Sequence, residues 1–299
     1  MKKVQILLST YNGEKYLKQQ IDSILKQNYK NISVLIRDDG SSDMTVKIIE
    51  KYAKENERIH YIAGKNIGVW NSFLELINLS DDFADYYAFA DQDDVWLPNK
   101  IEEAIKCLER EKKKEPVLYA SNLILVDENL KEYKQNKKKK VVPSIQNALV
   151  ENICAGCTEV FNKKLRDILI NKTPNYMIMH DWWVYLCASC LGKVIYDTNA
   201  YIYYRQHSSN EIGIKKTFLL QWCSRICRFK KMKNSLSKQA ESFFEIYGEE
   251  SDKCKRVKML TEYRKNIKTR FEFATSDFFL RQNKVDNLVY RFLFLMGVL

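Results

Sequence analysis

The chain has 299 residues, 45% of them hydrophobic, with only nine glycines and four prolines. That excludes a low-complexity polymer and leaves room for one large domain with an appendage. The net charge of +11 is uneven, because residues 215–299 hold 19 Lys/Arg against 9 Asp/Glu while residues 1–214 are nearly balanced. No run reaches the roughly 18 apolar residues of a membrane span, and no small-residue cleavage site follows the start, so a cytoplasmic chain without a signal peptide is expected.

Residues 4–9 (Val-Gln-Ile-Leu-Leu-Ser) form an apolar run of strand length. Residues 13–27 then place Tyr16, Leu17, Gln20, Ile21, Ile24 and Leu25 at helical spacing. A second strand over 32–36 ends in Arg37-Asp38-Asp39-Gly40-Ser41-Ser42-Asp43, whose Ser/Asp cluster caps a helix over 46–52. A strand over 59–63, a helix over 69–79 and a strand over 86–90 follow. This alternation predicts an α/β fold with a mostly parallel sheet between helices, and such sheets bind ligands beyond the carboxyl ends of their strands. After Pro116 the pattern predicts a long strand over 117–126 and a basic loop at 137–140. A strand-like stretch over 153–161, a helix over 163–170 and a helix entered at His180 come next. Two strands, over 193–196 and 200–205, close this part, and from residue 215 onward only helices are expected.

Polar residues collect where those strands end. Tyr11 and Asn12 follow the first, Asp38 and Asp39 the second. The fourth runs into Phe89-Ala-Asp91-Gln-Asp93-Asp94-Val-Trp96-Leu-Pro98-Asn-Lys100. Three crowded carboxylates repel unless something cationic offsets them. A hard divalent ion carrying a diphosphate fits oxygen-only ligands, so Mn²⁺ or Mg²⁺ is the expected cofactor. The competing reading is a helix start whose acids complement the dipole. No G-x-G-x-x-G, Walker A loop or G-x-S-x-G elbow is present, so a nucleotide must be held by side chains at strand ends. Asp39 suits the imide N–H of uracil or thymine, and Tyr11 suits stacking on the base. The pairs Cys154/Cys157 and Cys187/Cys190 are separated by 29 residues, too many for a zinc ribbon, and the second pair, in an apolar helical stretch, reads as buried small hydrophobes.

Taken in order, Ser9-Thr-Tyr11-Asn12, Arg37 to Asp43, Asn66-Ile-Gly68, Asp91-Gln-Asp93-Asp94 with Pro98-Asn-Lys100, Gly156, His180-Asp181-Trp182 and Tyr204-Arg205-Gln-His207 resemble family 2 glycosyltransferases of the GT-A fold. The resemblance covers about residues 4–210. It implies a catalytic domain over 1–214 and a basic helical extension over 215–299. It also implies that Ser9, Tyr11, Asp39 and Asp91 line the nucleotide site and that Asp93 is the main metal ligand, with His207 as a third. Asp181 would be the catalytic base of an inverting transfer, and Gly156 and Trp182 would face the acceptor. His180 stands where many members have Glu, and two tryptophans follow the base; Trp183 is expected in the core.

The variants around Asp91 and Asp181 are most similar to bacterial rhamnosyltransferases of surface polysaccharide assembly. They imply a dTDP-L-rhamnose donor and a saccharide or lipid-linked acceptor, with UDP-hexoses and UDP-N-acetylhexosamines as alternatives. A nucleotidyltransferase would need a Gly-rich basic loop after the first strand, where only Gly13 stands. A nucleic-acid binder would leave acids at three strand ends to repel phosphate. Residues 215–233 carry seven basic residues and no acid, with Leu219, Trp222, Cys223, Ile226 and Phe229 at helical spacing. The tail is therefore expected on the inner face of an anionic membrane, or against a second subunit.

Overall fold

The computed structural model describes residues 1–111, 115–133, 141–206, 234–248 and 250–299. Backbone proximity gathers the chain into two units, each discontinuous in sequence. The first comprises Met1–Lys140, Cys154–Asn171 and Gly192–His207, and the second Val141–Ile153, Lys172–Leu191 and Ser208–Leu299. Val141–Ile153 and Lys172–Leu191, both within residues 1–214, thus belong to the second unit.

The first unit holds an eight-stranded sheet. Its strands are β1 (Val4–Thr10), β2 (Ile32–Asp38), β3 (Ile59–Ala63), β4 (Tyr86–Ala90), β5 (Val95–Trp96), β6 (Val117–Val126), β7 (Val160–Asn162) and β8 (Lys193–Arg205). They lie in the order β3-β2-β1-β4-β7-β6-β8-β5. The pairs β2–β3, β1–β2, β1–β4 and β6–β8 are parallel, whereas β7 and β5 run against their neighbours. Strands β1 and β4 are buried almost throughout, as expected of parallel strands covered on both faces. The helices of this unit are α1 (Leu17–Leu25), α2 (Thr45–Glu55), α3 (Val69–Asn78), α4 (Lys100–Leu108) and α6 (Lys163–Leu169). Between α4 and α6 in the chain lies α5 (Ile145–Ala148), which belongs to the second unit. Helix α1 buries Leu17, Gln20, Ile21 and Ile24 of the periodic set read from the sequence, while Tyr16 precedes the helix and Leu25 is half-buried.

Register decides what meets at the carboxyl ends. Thr10 pairs with Asp38, and Leu8 with Ala90, so the exits of β1, β2 and β4 stand level.

Four local features differ from the sequence expectation. Helix α1 begins at Leu17, because the Gly13 carbonyl accepts from both Tyr16 and Leu17 N–H and winds residues 13–16 into a turn. A two-residue strand, β5, precedes Pro98, and α4 begins only at Lys100. The stretch over 153–161 is a 3₁₀ turn, Gly156–Thr158, before the short β7. The two strands expected over 193–205 are one, β8, with register shifts opposite Asn122. There Asn122 Nδ2 donates to the Thr198 carbonyl at 2.7 Å, absorbing the extra residues without ending the strand.

The second unit is helical, as expected of the C-terminal part. Besides α5 it contains α7 (His180–Leu191), α8 (Ser235–Tyr247), α9 (Cys254–Glu262), α10 (Ile267–Thr275) and α11 (Lys284–Leu295). Every residue of α7 except Leu191 is buried, so this helix is the unit's core. Trp183 packs on Phe243 and Tyr247 at centroid distances of 5.8 and 6.3 Å, the core role anticipated for it. Helices α10 and α11 pair through Phe273 and Phe294, 4.8 Å apart, and Arg291 Nη1 donates to the Ala274 and Ser276 carbonyls. Among the described residues, no helix is long and apolar enough to cross a membrane.

Candidate active site

Three chain exits are tied together by side chains that mimic backbone. Gln92 Oε1 accepts from Tyr11 N–H at 2.8 Å and from Thr10 Oγ1 at 2.6 Å, and its Nε2 donates to the Tyr11 carbonyl at 3.1 Å. The amide thus extends the β1–β4 pairing past Ala90, and the Tyr11 ring is left 48% exposed, open for stacking. Asn12, at φ 48°, accepts from Ser42 N–H through Oδ1 at 2.9 Å, and its own N–H donates to Ser41 Oγ. At the β2 exit Asp38 accepts from Gly40 N–H, Ser41 N–H and Ser41 Oγ. Gly40 takes φ +81° there, and a Cβ would stand 2.9 Å from Asn66 N, so the turn requires glycine.

Asp39 is buried and already well coordinated. Oδ1 accepts from Arg37 Nη1 at 2.5 Å and Ile67 N–H at 2.9 Å, and Oδ2 accepts from Gly68 N–H at 3.0 Å. Arg37, itself 2% exposed, also reaches Glu75, Ser72 and the Lys65 carbonyl, clamping β2 to α3. These donors make Asp39 a rigid acceptor at the strand end, with room on Oδ2 for one more donor. Ser9 shares a 2.7 Å hydrogen bond with Ser72 Oγ.

The acidic turn places its three carboxylates differently. Asp91 and Asp93 are half-buried, whereas Asp94 is fully buried. Burial, then the negative neighbours Asp93 and Asp91, push the Asp94 carboxyl well above the ordinary carboxylate range. Its Oδ1 accepts from Arg205 N–H at 3.2 Å. Arg205 Nε donates to the Asp93 carbonyl at 2.8 Å, and Nη2 donates to Gln19 Oε1 at 2.6 Å. Ligand atoms of Asp91, Asp94 and Cys157 lie within 4.8 Å of one another. The Cys157 thiol, however, is pushed well up by burial and by Asp94 and Asp91. A buried protonated thiol is a poor ligand for a hard ion. Asp91 and Asp93 keep an open side, so the donor set fits a divalent ion there, with Asp94 as the buried support.

Of the remaining expected residues, Gly156 opens the 3₁₀ turn of the first unit and is buried. Asp181 and Trp182 begin α7 in the second unit. Asp181 Oδ1 accepts from Trp182 N–H at 2.7 Å, and the Trp182 indole N–H donates to the Ala148 carbonyl at 2.7 Å. Trp182 is 7% exposed. Burial pushes the His180 imidazole down to about 3, so it stays neutral at physiological pH. His207 lies outside the described residues. The sequence reading assigned no role to Arg37, Gln92, Lys100 or Arg205. Their presence inside the matching motifs was the available signal, but their partners come from distant strands.

A sheet whose parallel strands deliver acids, a free aromatic ring and a buried carboxylate acceptor to one edge defines a GT-A architecture. Residues 5–169 match the glycosyl transferase family 2 profile. The chain is 32% identical over 227 residues to the dTDP-rhamnosyl transferase RfbG of Shigella flexneri, covering 71% of this chain and 75% of that one. It is 27% identical to an uncharacterized glycosyltransferase of Rickettsia typhi, covering 69% and 64%. The chain belongs to glycosyl transferase family 2 and is a glycosyltransferase. Among solved structures it is similar to S. aureus TarS 1–349 in complex with UDP-GlcNAc (TM-score 0.61, 16% identity, 99% of this chain and 82% of that one). It is also similar to the mannosyltransferase PcManGT of Pyrobaculum calidifontis in complex with GDP-Man and Mn²⁺ (TM-score 0.56, 13% identity, 99% and 74%). These two likenesses show the fold.

Proposed function

We propose that the chain is a metal-dependent, inverting glycosyltransferase that moves L-rhamnose from dTDP-L-rhamnose to a hydroxyl of a saccharide acceptor in bacterial surface polysaccharide synthesis. The observation that carries the donor is the 32% identity to a dTDP-rhamnosyl transferase across 71% of the chain. Tyr11 stacks on the base, Asp39 accepts its imide N–H, and Ser9 and Asp91 border the nucleoside. Asp91 and Asp93 would hold Mn²⁺ or Mg²⁺, whose charge offsets that developing on the leaving diphosphate. Asp181 takes the proton of the attacking hydroxyl as the new carbon–oxygen bond forms and the bond to the diphosphate breaks, with the electron pair leaving on the phosphate oxygen. Gly156 and Trp182 border the acceptor, and His207 is a further ligand of the ion. The catalytic residues fall within 1–214, with 215–299 as an accessory region.

Donor choice is tested by hydrolysis and transfer assays with dTDP-L-rhamnose, UDP-glucose, UDP-galactose and UDP-N-acetylglucosamine in Mn²⁺. Turnover of dTDP-L-rhamnose well above the others is the expected result. Preference for a UDP sugar would replace the donor assignment while leaving the acid site intact.

The accessory region also supports docking on the inner face of an anionic membrane. Residues 215–233, where the sequence places the basic stripe, lie outside the described residues. Helix α11, however, exposes Val285, Leu288, Phe292 and Leu295, and Met296 just beyond it, with Leu288 69% and Phe292 61% accessible. A helix that buries Tyr290 and Phe294 on one face and shows this second apolar face suits an interfacial layer, and a region of net charge +10 suits anionic lipid. The wild-type protein is expected to float with anionic vesicles at low salt and less at high salt. Leu288→Glu with Phe292→Glu should reduce recovery without unfolding the chain. Equal recovery with neutral vesicles, or concentration-dependent dimerisation through the same face, would assign it to another partner.

A further inference from the structure

Arg205 ends β8 and is only 1% exposed, yet the chemistry above leaves its side chain without a task. Its guanidinium is shared among three segments far apart in the chain. Nε donates to the Asp93 carbonyl at 2.8 Å, Nη2 to Gln19 Oε1 at 2.6 Å, and Nη1 to the Glu128 carbonyl. The guanidinium carbon lies 4.4 Å from the centroid of the Tyr16 ring. Glu128 closes the circuit, because its carboxylate accepts from Lys15 Nζ at 2.7 Å and from the Tyr16 hydroxyl at 3.3 Å. Backbone register prepares the contact with the acidic turn. Val95 and Trp96 pair with Tyr203 and Ile202, and the same register carried two residues further sets Asp93 opposite Arg205. The strand pairing stops at Val95, and Arg205 takes over: its N–H reaches Asp94 Oδ1 at 3.2 Å while Nε reaches the Asp93 carbonyl. A carboxyl offers that acceptor whether or not it is ionised.

We propose that Arg205 is a positioning residue: it fixes the backbone of the acidic turn against residues 15–19 and the turn at Glu128, so that the Asp93 carboxylate is presented to the ion in one place. A planar fork of donors meets three diverging acceptors at once, whereas a lysine ammonium on a flexible stem cannot. The face of Tyr16 helps to hold that fork in place. Residues 15–19 follow Tyr11 closely in the chain, so one side chain braces both the ion end and the base end of the nucleotide site. This inference rests on the proposed role of Asp93 as a ligand, and the experiment reads it in two separate ways.

Arg205→Lys keeps the charge and loses the fork. The first readout is Mn²⁺ affinity, followed by electron paramagnetic resonance of free Mn²⁺ with the metal alone and again with dTDP present. The variant should bind Mn²⁺ about 10–100-fold more weakly than the wild type, the range seen when groups supporting metal ligands are removed. The second readout is amide hydrogen exchange, which needs no metal. Exchange should quicken over residues 91–97 and 127–131, while β1 and β4 keep wild-type protection. A residue serving stability alone would lower Tm and leave the Mn²⁺ affinity of the folded variant unchanged, and that result overturns the proposal. Unchanged exchange in the acidic turn also overturns it. Should Arg205→Lys fail to fold, Gln19→Ala removes one acceptor at an exposed position of α1. Weakened Mn²⁺ binding by that variant supports the proposal, and unchanged binding overturns it. If the wild type binds no Mn²⁺ in either condition, the ligand reading fails, and hydrogen exchange in whichever variant folds decides whether Arg205 holds the turn.

Discussion

Asp93→Ala is expected to abolish sugar transfer while leaving the protein as stable as the wild type or slightly more so. The two effects have opposite origins in the same crowding. Asp93 is one of the charges that raise the Asp94 carboxyl, so removing it relieves repulsion inside the turn. The turn keeps its anchor, because Arg205 Nε donates to the backbone carbonyl at position 93, which alanine retains. Activity has no such substitute. If Asp93 is the main ligand, as proposed, an ion could no longer offset the leaving diphosphate, a stabilisation of several kcal/mol that corresponds to about 10³-fold or more in rate. Chelation with EDTA should reproduce the loss in the wild type, and added Mn²⁺ or Mg²⁺ should restore the wild type but not the variant. Full transfer by the chelated wild type would remove the ion from the mechanism, whatever the variant does.

The polar edge of the sheet was legible because its strands announce themselves. Val4 to Leu8 and Tyr86 to Ala90 are buried without interruption, and both give way abruptly to polar residues at the exit. An apolar run ending in Asp or Asn is a local signal, and register then only has to bring the exits level. What stayed hidden depends on contacts far apart in sequence. Gln92 looked like a spacer between acids, yet its amide completes the β1–β4 pairing against Tyr11, 81 residues away. Strand β5 has two residues and no periodicity to detect; it exists because Val95 and Trp96 pair with Tyr203 and Ile202 of β8. Trp182, expected beside the acceptor, also carries a structural tie that its sequence neighbours do not announce. Its indole N–H donates to the Ala148 carbonyl, a bond that no spacing rule encodes. Nothing in Pro98-Asn-Lys marks Lys100 as a residue 1% exposed against the Trp96 ring, where burial pulls its ammonium down to about 7.

Asp181→Asn separates catalysis from the hydrogen bond that Asp181 accepts at the start of α7. Asp181 stands at the start of α7, and its Oδ1 accepts from Trp182 N–H. Asparagine offers the same acceptor in the same place, so the helix start should survive and Tm should change little. The amide cannot take a proton at neutral pH. If Asp181 is the base, turnover should therefore fall by about 10²–10⁴-fold, while the affinity for the nucleotide-sugar donor stays near the wild-type value. Neighbouring His180 cannot stand in as the proton acceptor, because burial holds its imidazole at about 3 and thereby makes it a very weak base. A variant retaining tenfold or less of a deficit would move the base elsewhere. The stereochemical outcome gives an independent check. A single attack by the acceptor hydroxyl, opposite the departing diphosphate, inverts the anomeric centre, and proton NMR of the product reads the configuration directly. A retained configuration would demand a second displacement, and a protein nucleophile that this mechanism does not contain.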